Sequence, residues 1–256
     1  MTAAAVPAAG AAPRNPEELV PPVSRVTRLS YGFGALANGI KGAAFSSYLM
    51  LYFNQVVGVP ASVVGTALAL TLLVDAIVDP LLGRWADTTR SRWGRRHPFM
   101  YASALPTTLF FFITWFPPEG LTATQMGIWI FVLASATRAS ISAFEINAAA
   151  LAPELTPRYN ERTKLFSLRY WFGYAGTYGF TSFCLAFVFV ATAEYPRGQL
   201  NPDSYATFAG LGAVLIFVAI IVCAAGTHNR IPYVRQADAL IPGAARMTPI
   251  QHLKEM

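Results

Sequence analysis

The chain has 256 residues, 54% of them hydrophobic and only 12% charged, against a usual charged share of roughly 25%. With a mean hydropathy of +0.43, that composition excludes an ordinary soluble domain and indicates a membrane protein. A net charge of +6 does not point to nucleic acid, because the basic residues lie in loops between apolar segments and form no patch interleaved with aromatics.

Residues 1–28 are rich in Ala and Pro, carry mixed charge and lack a basic start followed by an apolar core. This predicts a disordered cytoplasmic tail rather than a cleaved signal peptide. Six stretches then reach the roughly 20 mostly apolar residues that a spanning helix needs. They run from about 29 to 57, 62 to 85, 98 to 115, 125 to 152, 165 to 193 and 205 to 226. The predicted fold class is therefore all-α, an integral membrane six-helix bundle over residues 29–226. Residues 227–256 turn polar and read as the start of a cytoplasmic linker, with a further helix beginning near Thr248. Cys184 and Cys223 fall inside apolar runs without metal-ligand spacing and read as small apolar fillers.

Lys and Arg set the orientation. The loops at 55–61, 116–124 and 194–204 hold one basic residue among them, Arg197, whereas the opposite side holds fifteen. Both termini and the two basic hairpins are therefore expected to face the cytoplasm. Three basic residues, Lys41, Arg138 and Arg169, and three acidic ones, Asp75, Asp79 and Glu145, remain inside apolar segments.

Charges at membrane depth are costly and are by default functional, facing the bundle interior and pairing there. At about 1.5 Å of rise per residue, Asp75, Lys41 and Arg138 fall about 18–21 Å from the cytoplasmic helix ends. Asp79, Glu145 and Arg169 fall about 8–12 Å in. Asp75 and Asp79 are four residues apart, and Arg138 and Glu145 seven, so each pair shares a helix face. Pro80 cannot donate to the carbonyl of Ala76, which leaves a free oxygen beside the carboxylates. Two carboxylates, that carbonyl and the nearby Ser142 hydroxyl suit a hard monovalent cation or a proton. A purely structural network of buried ion pairs is the competing reading.

The run from Asp75 to Phe99 contains Asp-x-x-x-Asp-Pro followed by Ser-Arg-x-Gly-Arg-x-x-Pro-Phe. It resembles the glycoside–pentoside–hexuronide cation symporters, the branch of the major facilitator superfamily that includes the melibiose permease. Tyr31 to Ala35 and Glu161-Arg162-Thr163 resemble the same family, and the likeness extends over about 31–226. It implies the amino-terminal half of a twelve-helix transporter whose halves are each built from three-plus-three inverted repeats. By the resemblance, Asp75, Asp79 and Glu145 would hold the coupling cation with Ser142, and Arg169 would bind sugar. Gly83, Asp87, Arg92, Gly94, Arg95 and Arg96 lie in what resembles the superfamily's cytoplasmic gating motif, in which Asp87 is held in one state and released in the other.

The departures from the pattern fall on the substrate side. Asn38 and Gly39 stand where the family has a sugar-contacting Lys-Asp pair, Ala149 stands for a sugar-stacking Trp, and Val78 stands for an Asn near the cation. Lys41 and Arg138 are extra charges, and Arg138 is placed to neutralise Asp75. Trp171, Tyr174 and Tyr178 recur at i, i+3 and i+7 and either line a sugar cavity or pack against core or lipid. Gly173, Gly176 and Gly179 suggest close helix approach. Phe110, Phe111, Phe112, Trp115 and Phe116 read as lipid-facing bulk and an interfacial belt.

The sequence thus predicts symport of a sugar or glycoside, coupled to Na⁺ or H⁺, in the cell inner membrane. The alternatives are transport of another organic solute such as a lysolipid, or a truncated membrane protein that does not transport. The expected partners are the substrate, the bilayer, and a carboxy-terminal half or second copy; nucleic acid is not expected. No cofactor beyond the coupling ion is expected. No pairing of nucleophile with base is legible, so an enzyme is not expected.

Overall fold

The computed structural model describes residues 20–89 and 91–233. The readings of the tail before residue 20 and of the linker from residue 234 onward lie outside the described residues. Helices dominate, and no strand occurs among the described residues.

The first segment is a continuous helical run with changes of pitch. It comprises α1 (Arg25–Phe33), α2 (Ala35–Ala43), a π-helical turn at Ala44–Tyr48, α3 (Leu49–Leu51) and a second π-helical turn at Tyr52–Val56. Ser24 caps it by accepting the amide of Thr27 at 3.1 Å. The second segment is α4 (Ala61–Thr88), which runs through Pro80. The third is α5 (His97–Thr114), with Pro98 in the first turn, where the missing N–H costs nothing. The fourth is α6 (Ala123–Leu155). Thr122 and Gln125 begin it with a reciprocal capping box.

The fifth segment starts with α7 (Tyr159–Tyr174) and continues through a π-helical turn at Ala175–Gly179, α8 (Phe180–Phe183) and a π-helical turn at Cys184–Val188. A 3₁₀ turn at Gly198–Leu200 precedes α9 (Ser204–His228). Three of these helices, α4, α6 and α9, are each long and apolar enough to cross a bilayer. The helices overrun the expected bounds at the ends that carry the basic hairpins because polar residues such as Tyr159–Lys164 continue the helix beyond its apolar part.

Packing follows an order the chain does not. α4 lies on α6, α6 on α5, α5 on α9, α9 on α1 and α2, and these two on α7 and its π-helical turn. α4 and α7 stand at opposite ends of this series, and α2 and α7 also touch α6. The outer face of α4 bears exposed Leu72, Leu73, Ile77, Leu81 and Trp85, as suits a helix bordering lipid or another apolar partner.

Two helix crossings depend on glycine. A Cβ on Gly39 would meet the carbonyl oxygen of Gly173 at 2.2 Å, and one on Gly176 would meet that of Leu36 at 2.6 Å. The Thr177 hydroxyl donates across the same crossing to the Gly39 carbonyl at 3.3 Å. Gly176 thus sits at a close approach, whereas Gly179 faces open space. On the other side of α1, a Cβ on Gly226 would meet Ser30 Cβ at 2.2 Å.

The aromatic residues near the end of α5 divide in a way the sequence reading did not separate. Phe111 and Trp115 are buried, while Phe112 and Phe116 are exposed. Trp115 stacks on Tyr205 and meets Phe208 edge-on, and its carbonyl accepts the Tyr52 hydroxyl at 2.8 Å. The expectation of a lipid-facing belt is therefore corrected for Phe111 and Trp115, which seal the bundle where α5, α9 and the first segment converge.

Candidate functional site

The embedded charges of α2, α4, α6 and α7 converge. Arg138 on α6 pairs with Asp75 on α4, its Nε and a terminal nitrogen both directed at Oδ2. Arg169 on α7 pairs with Glu145 Oε2 and also donates to the Glu145 carbonyl at 3.4 Å. The guanidinium of Arg169 lies 6.0 Å from the centre of the Tyr31 ring, whose hydroxyl donates to the Ala148 carbonyl at 3.0 Å. Both pairs join residues that the rise per residue places at matching depths.

Each pair leaves something over. Asp75 Oδ1, Asp79 Oδ1 and Glu145 Oε1 are buried without a hydrogen-bond partner. Asp79 forms no ion pair among the described residues. Lys41, on α2, makes no direct ion pair among the described residues either. Buried polar oxygens are nearly always satisfied in native proteins. The three carboxylate oxygens lie on two facing helices, α4 and α6. Ser142 lies on α6 one turn from both Arg138 and Glu145.

Beside the charges opens a cavity of about 560 Å³, within the range of small-molecule sites. It is lined by Ala35, Asn38, Gly39 and Gly42 of α2, Glu145 and Ala149 of α6, and Phe166, Arg169, Tyr170, Gly173, Tyr174 and Thr177 of the fifth segment. Four substrate-side positions named from the sequence, Asn38, Ala149, Arg169 and Tyr174, are thereby brought together. Trp171 is not among the lining residues and is 73% exposed. The reason is rotational. Phe166, Arg169, Tyr170, Gly173 and Thr177 form the inward stripe, and the stripe through Trp171 and Tyr178 lies about 100° around the helix. Sequence reading missed Phe166, Tyr170 and Thr177, which packing against α2 and α6 turns toward the cavity together with Arg169.

At one end of the bundle, the hairpin between α4 and α5 is held by charge. Arg96 reaches Asp87 Oδ1 at 2.7 Å and Glu154 Oε1 at 3.2 Å, and Arg95 reaches the same Glu154 oxygen at 3.2 Å. Gly94 turns the chain at φ +80°, a conformation other residues rarely adopt. Gly83 faces Ile146 across the α4–α6 contact, and Arg92 lies 5.5 Å from the Trp93 ring centre. Glu154, absent from the sequence-level motif, joins this hairpin to the end of α6. A second clasp lies alongside: Glu161 accepts from the Thr156 hydroxyl at 2.8 Å and the Val23 amide at 3.3 Å. Arg230, two residues beyond α9, donates to the carbonyls of Leu155 and Pro21, each at 2.8 Å. Glu154→Gln is expected to speed tryptic cleavage of the hairpin in the detergent-solubilised protein roughly fivefold, the equivalent of about 1 kcal/mol. An unchanged rate would mean that these ion pairs do not hold the hairpin.

The sequence profile described as MFS/sugar transport protein matches residues 30–249. The chain belongs to this family. Its members are membrane proteins, and α4, α6 and α9 fit that setting. The chain is 37% identical over 156 residues to an uncharacterized symporter of Synechocystis, covering 59% of this chain and 29% of the relative. It is 26% identical over 215 residues to an isoprimeverose transporter of Lactiplantibacillus pentosus, covering 83% of this chain and 44% of the relative. It is 24% identical over 205 residues to a glucuronide carrier protein homolog of Escherichia coli, covering 80% and 44%. The chain spans less than half the length of each of these relatives.

Proposed function

We propose that the chain is the cation-site half of a secondary transporter that carries a sugar or glycoside together with a cation. The observation that supports this most is the meeting of unsatisfied carboxylate oxygens on Asp75, Asp79 and Glu145 beside a cavity lined by Arg169 and Asn38. The first set suits a cation, the second a polyhydroxylated solute. Isoprimeverose and glucuronides, named for two of the relatives, are glycosides of the size such a cavity takes.

In this reading the six helical runs are one half of a twelve-helix fold with inverted repeats, and the second half, or a second copy, completes the cavity. Substrate would enter when the halves rock about the midplane site. The coupling cation would sit at Asp79 with Glu145, Asp75 and Ser142, above the hairpin of Asp87, Arg92, Arg95 and Arg96. Glu145 belongs to both parts: one oxygen is held by Arg169, and the residue lines the cavity. Loading the cation would remove negative charge next to Arg169 and free its guanidinium for substrate hydroxyls, which couples the two solutes. The chain would lie in the cell inner membrane with both termini cytoplasmic.

The test is uptake by cells expressing the gene that encodes this chain. Asp79→Asn is expected to abolish cation-stimulated glycoside uptake while leaving the protein in the membrane. Unchanged stimulation would remove Asp79 from the cation site, and uptake of a lysolipid instead of a glycoside would replace the substrate class.

A further inference from the structure

The cavity beside the charges has two kinds of lining. Arg169, Glu145 and Asn38 supply charge and amide, while Phe166, Tyr170 and Tyr174 supply rings. The three aromatics recur every four residues on α7, so they follow one another along the helix as a row. The other walls carry little bulk: Gly39 and Gly42 on α2 and Ala149 on α6. A Cβ on Gly42 would meet nothing within 4 Å. Rings on one element and near-bare backbone on the others leave a slot next to the charged pocket.

These tyrosines differ from those in the core. Tyr31, Tyr52 and Tyr205 are buried, and each donates its hydroxyl to a backbone carbonyl. Tyr170 and Tyr174 are 69% and 62% exposed. Tyr174 lies nearly parallel to Tyr178, with 6.0 Å between ring centres and 14° between planes. In membranes tyrosine concentrates at the two interfaces, where its tip is wet. At about 1.5 Å of rise per residue from Lys164, Tyr174 stands about 15 Å along its segment, near the middle of a hydrocarbon core roughly 30 Å thick. Lipid is a poor neighbour for a hydroxyl there. A solute held in the cavity, with a flat apolar ring and polar atoms at its edge, is a good one.

We propose that Phe166, Tyr170 and Tyr174 form an aglycone subsite, which selects glycosides whose aglycone is a flat aromatic ring. The inference rests on the reading of the cavity as a glycoside site and names the part of the substrate that decides the choice. The sugar lies at Arg169 and Asn38, and the aglycone ring continues the stack of Tyr174 and Tyr178 into the space beside Gly42. A saturated aglycone of the same size gains burial alone. A stacked aromatic one adds about two- to tenfold in affinity beyond that burial. Tyr174 is thus a specificity-determining residue, and its ring, not its hydroxyl, makes the choice.

The experiment is calorimetric titration of the purified chain in nanodiscs with matched phenyl, cyclohexyl and methyl glycosides of glucose, xylose and glucuronic acid. For at least one sugar, the phenyl glycoside is expected to bind about fivefold more tightly than the cyclohexyl one. Tyr174→Ala should bring that ratio to about one, and Tyr174→Phe should keep it. Trp171→Ala, which alters a ring outside the cavity, should keep it as well. Gly42→Leu places its side chain in open space, so it should fold, fill the slot and weaken the phenyl glycoside more than the methyl one. Equal binding of phenyl and cyclohexyl glycosides by wild type overturns the proposal. So does a Tyr174→Ala protein, shown by circular dichroism to be folded, that keeps the preference. If methyl glycosides bind and the phenyl ring adds nothing, the sugar site stands and the aromatic row is a packing surface for the second half. If no glycoside binds at all, the reading of the cavity falls and the subsite falls with it.

Discussion

Replacing Gly39 by Asp is expected to prevent the first and fifth segments from packing. The resemblance makes this substitution tempting, since an acidic sugar contact occupies the matching position in the related symporters. Here a Cβ at position 39 would lie 2.2 Å from the Gly173 carbonyl oxygen, 2.8 Å from the Thr177 amide and 3.0 Å from the Gly176 Cα. All three are backbone atoms, so no side-chain rotation relieves the clash, and the helices must separate. Overpacking that neighbours cannot absorb costs about 1–3 kcal/mol and sometimes more; a backbone clash with a charged group added belongs at the upper end, about 3 kcal/mol or above. Separation would also break the Thr177–Gly39 hydrogen bond and remove one wall of the cavity. Thermal unfolding of the purified protein should show the Gly39→Asp variant unfolded or strongly destabilised, with Gly39→Ala intermediate. Wild-type stability for Gly39→Asp would contradict the crossing. Gly39 is then better read as the residue that lets two helices meet than as a lost sugar ligand.

The second large effect is expected at Arg169. Its side chain is only 13% exposed and that of its partner Glu145 20%, so Arg169→Ala leaves a carboxylate in a poorly solvated place with nothing opposite it. Breaking one member of a buried pair costs about 3–5 kcal/mol, whereas replacing both by apolar residues is often neutral. Because Glu145 also borders the cavity, water reaches it, and the low end, about 3 kcal/mol, applies. The diagnostic comparison is Arg169→Leu with Glu145→Leu: the double variant should recover most of the stability that Arg169→Ala loses, and should still fail to take up substrate. A double variant as unstable as the single would mean that the two side chains contribute separately.

Much of this arrangement was legible from the sequence because charge inside apolar runs is rare. Asp75, Asp79, Arg138, Glu145 and Arg169 stand out against their neighbours, and a fixed rise per residue assigns them to levels that match the pairs observed. The limits were geometric. The π-helical turns at Ala44–Tyr48 and Ala175–Gly179 change the pitch of the first and fifth segments, the second of them where it packs on α2, and no residue pattern marks such a turn. The stripe through Trp171 and Tyr178 was as regular as the one that faces the cavity, and only packing against α2 and α6 decides which turns inward. Phe111 and Trp115 resemble lipid-facing aromatics in composition, and their burial depends on Tyr52, Tyr205 and Phe208, which are distant in sequence. Glu154 and Arg230 act across helix ends, so neither belongs to a contiguous motif. Apolar periodicity located the segments, but it carried no information about the order in which they pack.

In the proposed function, cation entry at these carboxylates drives glycoside accumulation. The measurement is uptake of a labelled glycoside panel by right-side-out vesicles from cells expressing the encoding gene, with an inward cation gradient imposed and then collapsed by ionophore. At least one glycoside is expected to rise above its external concentration and fall back to equilibrium when the gradient is lost. Equilibration that ignores the gradient, for every glycoside tested, would contradict it.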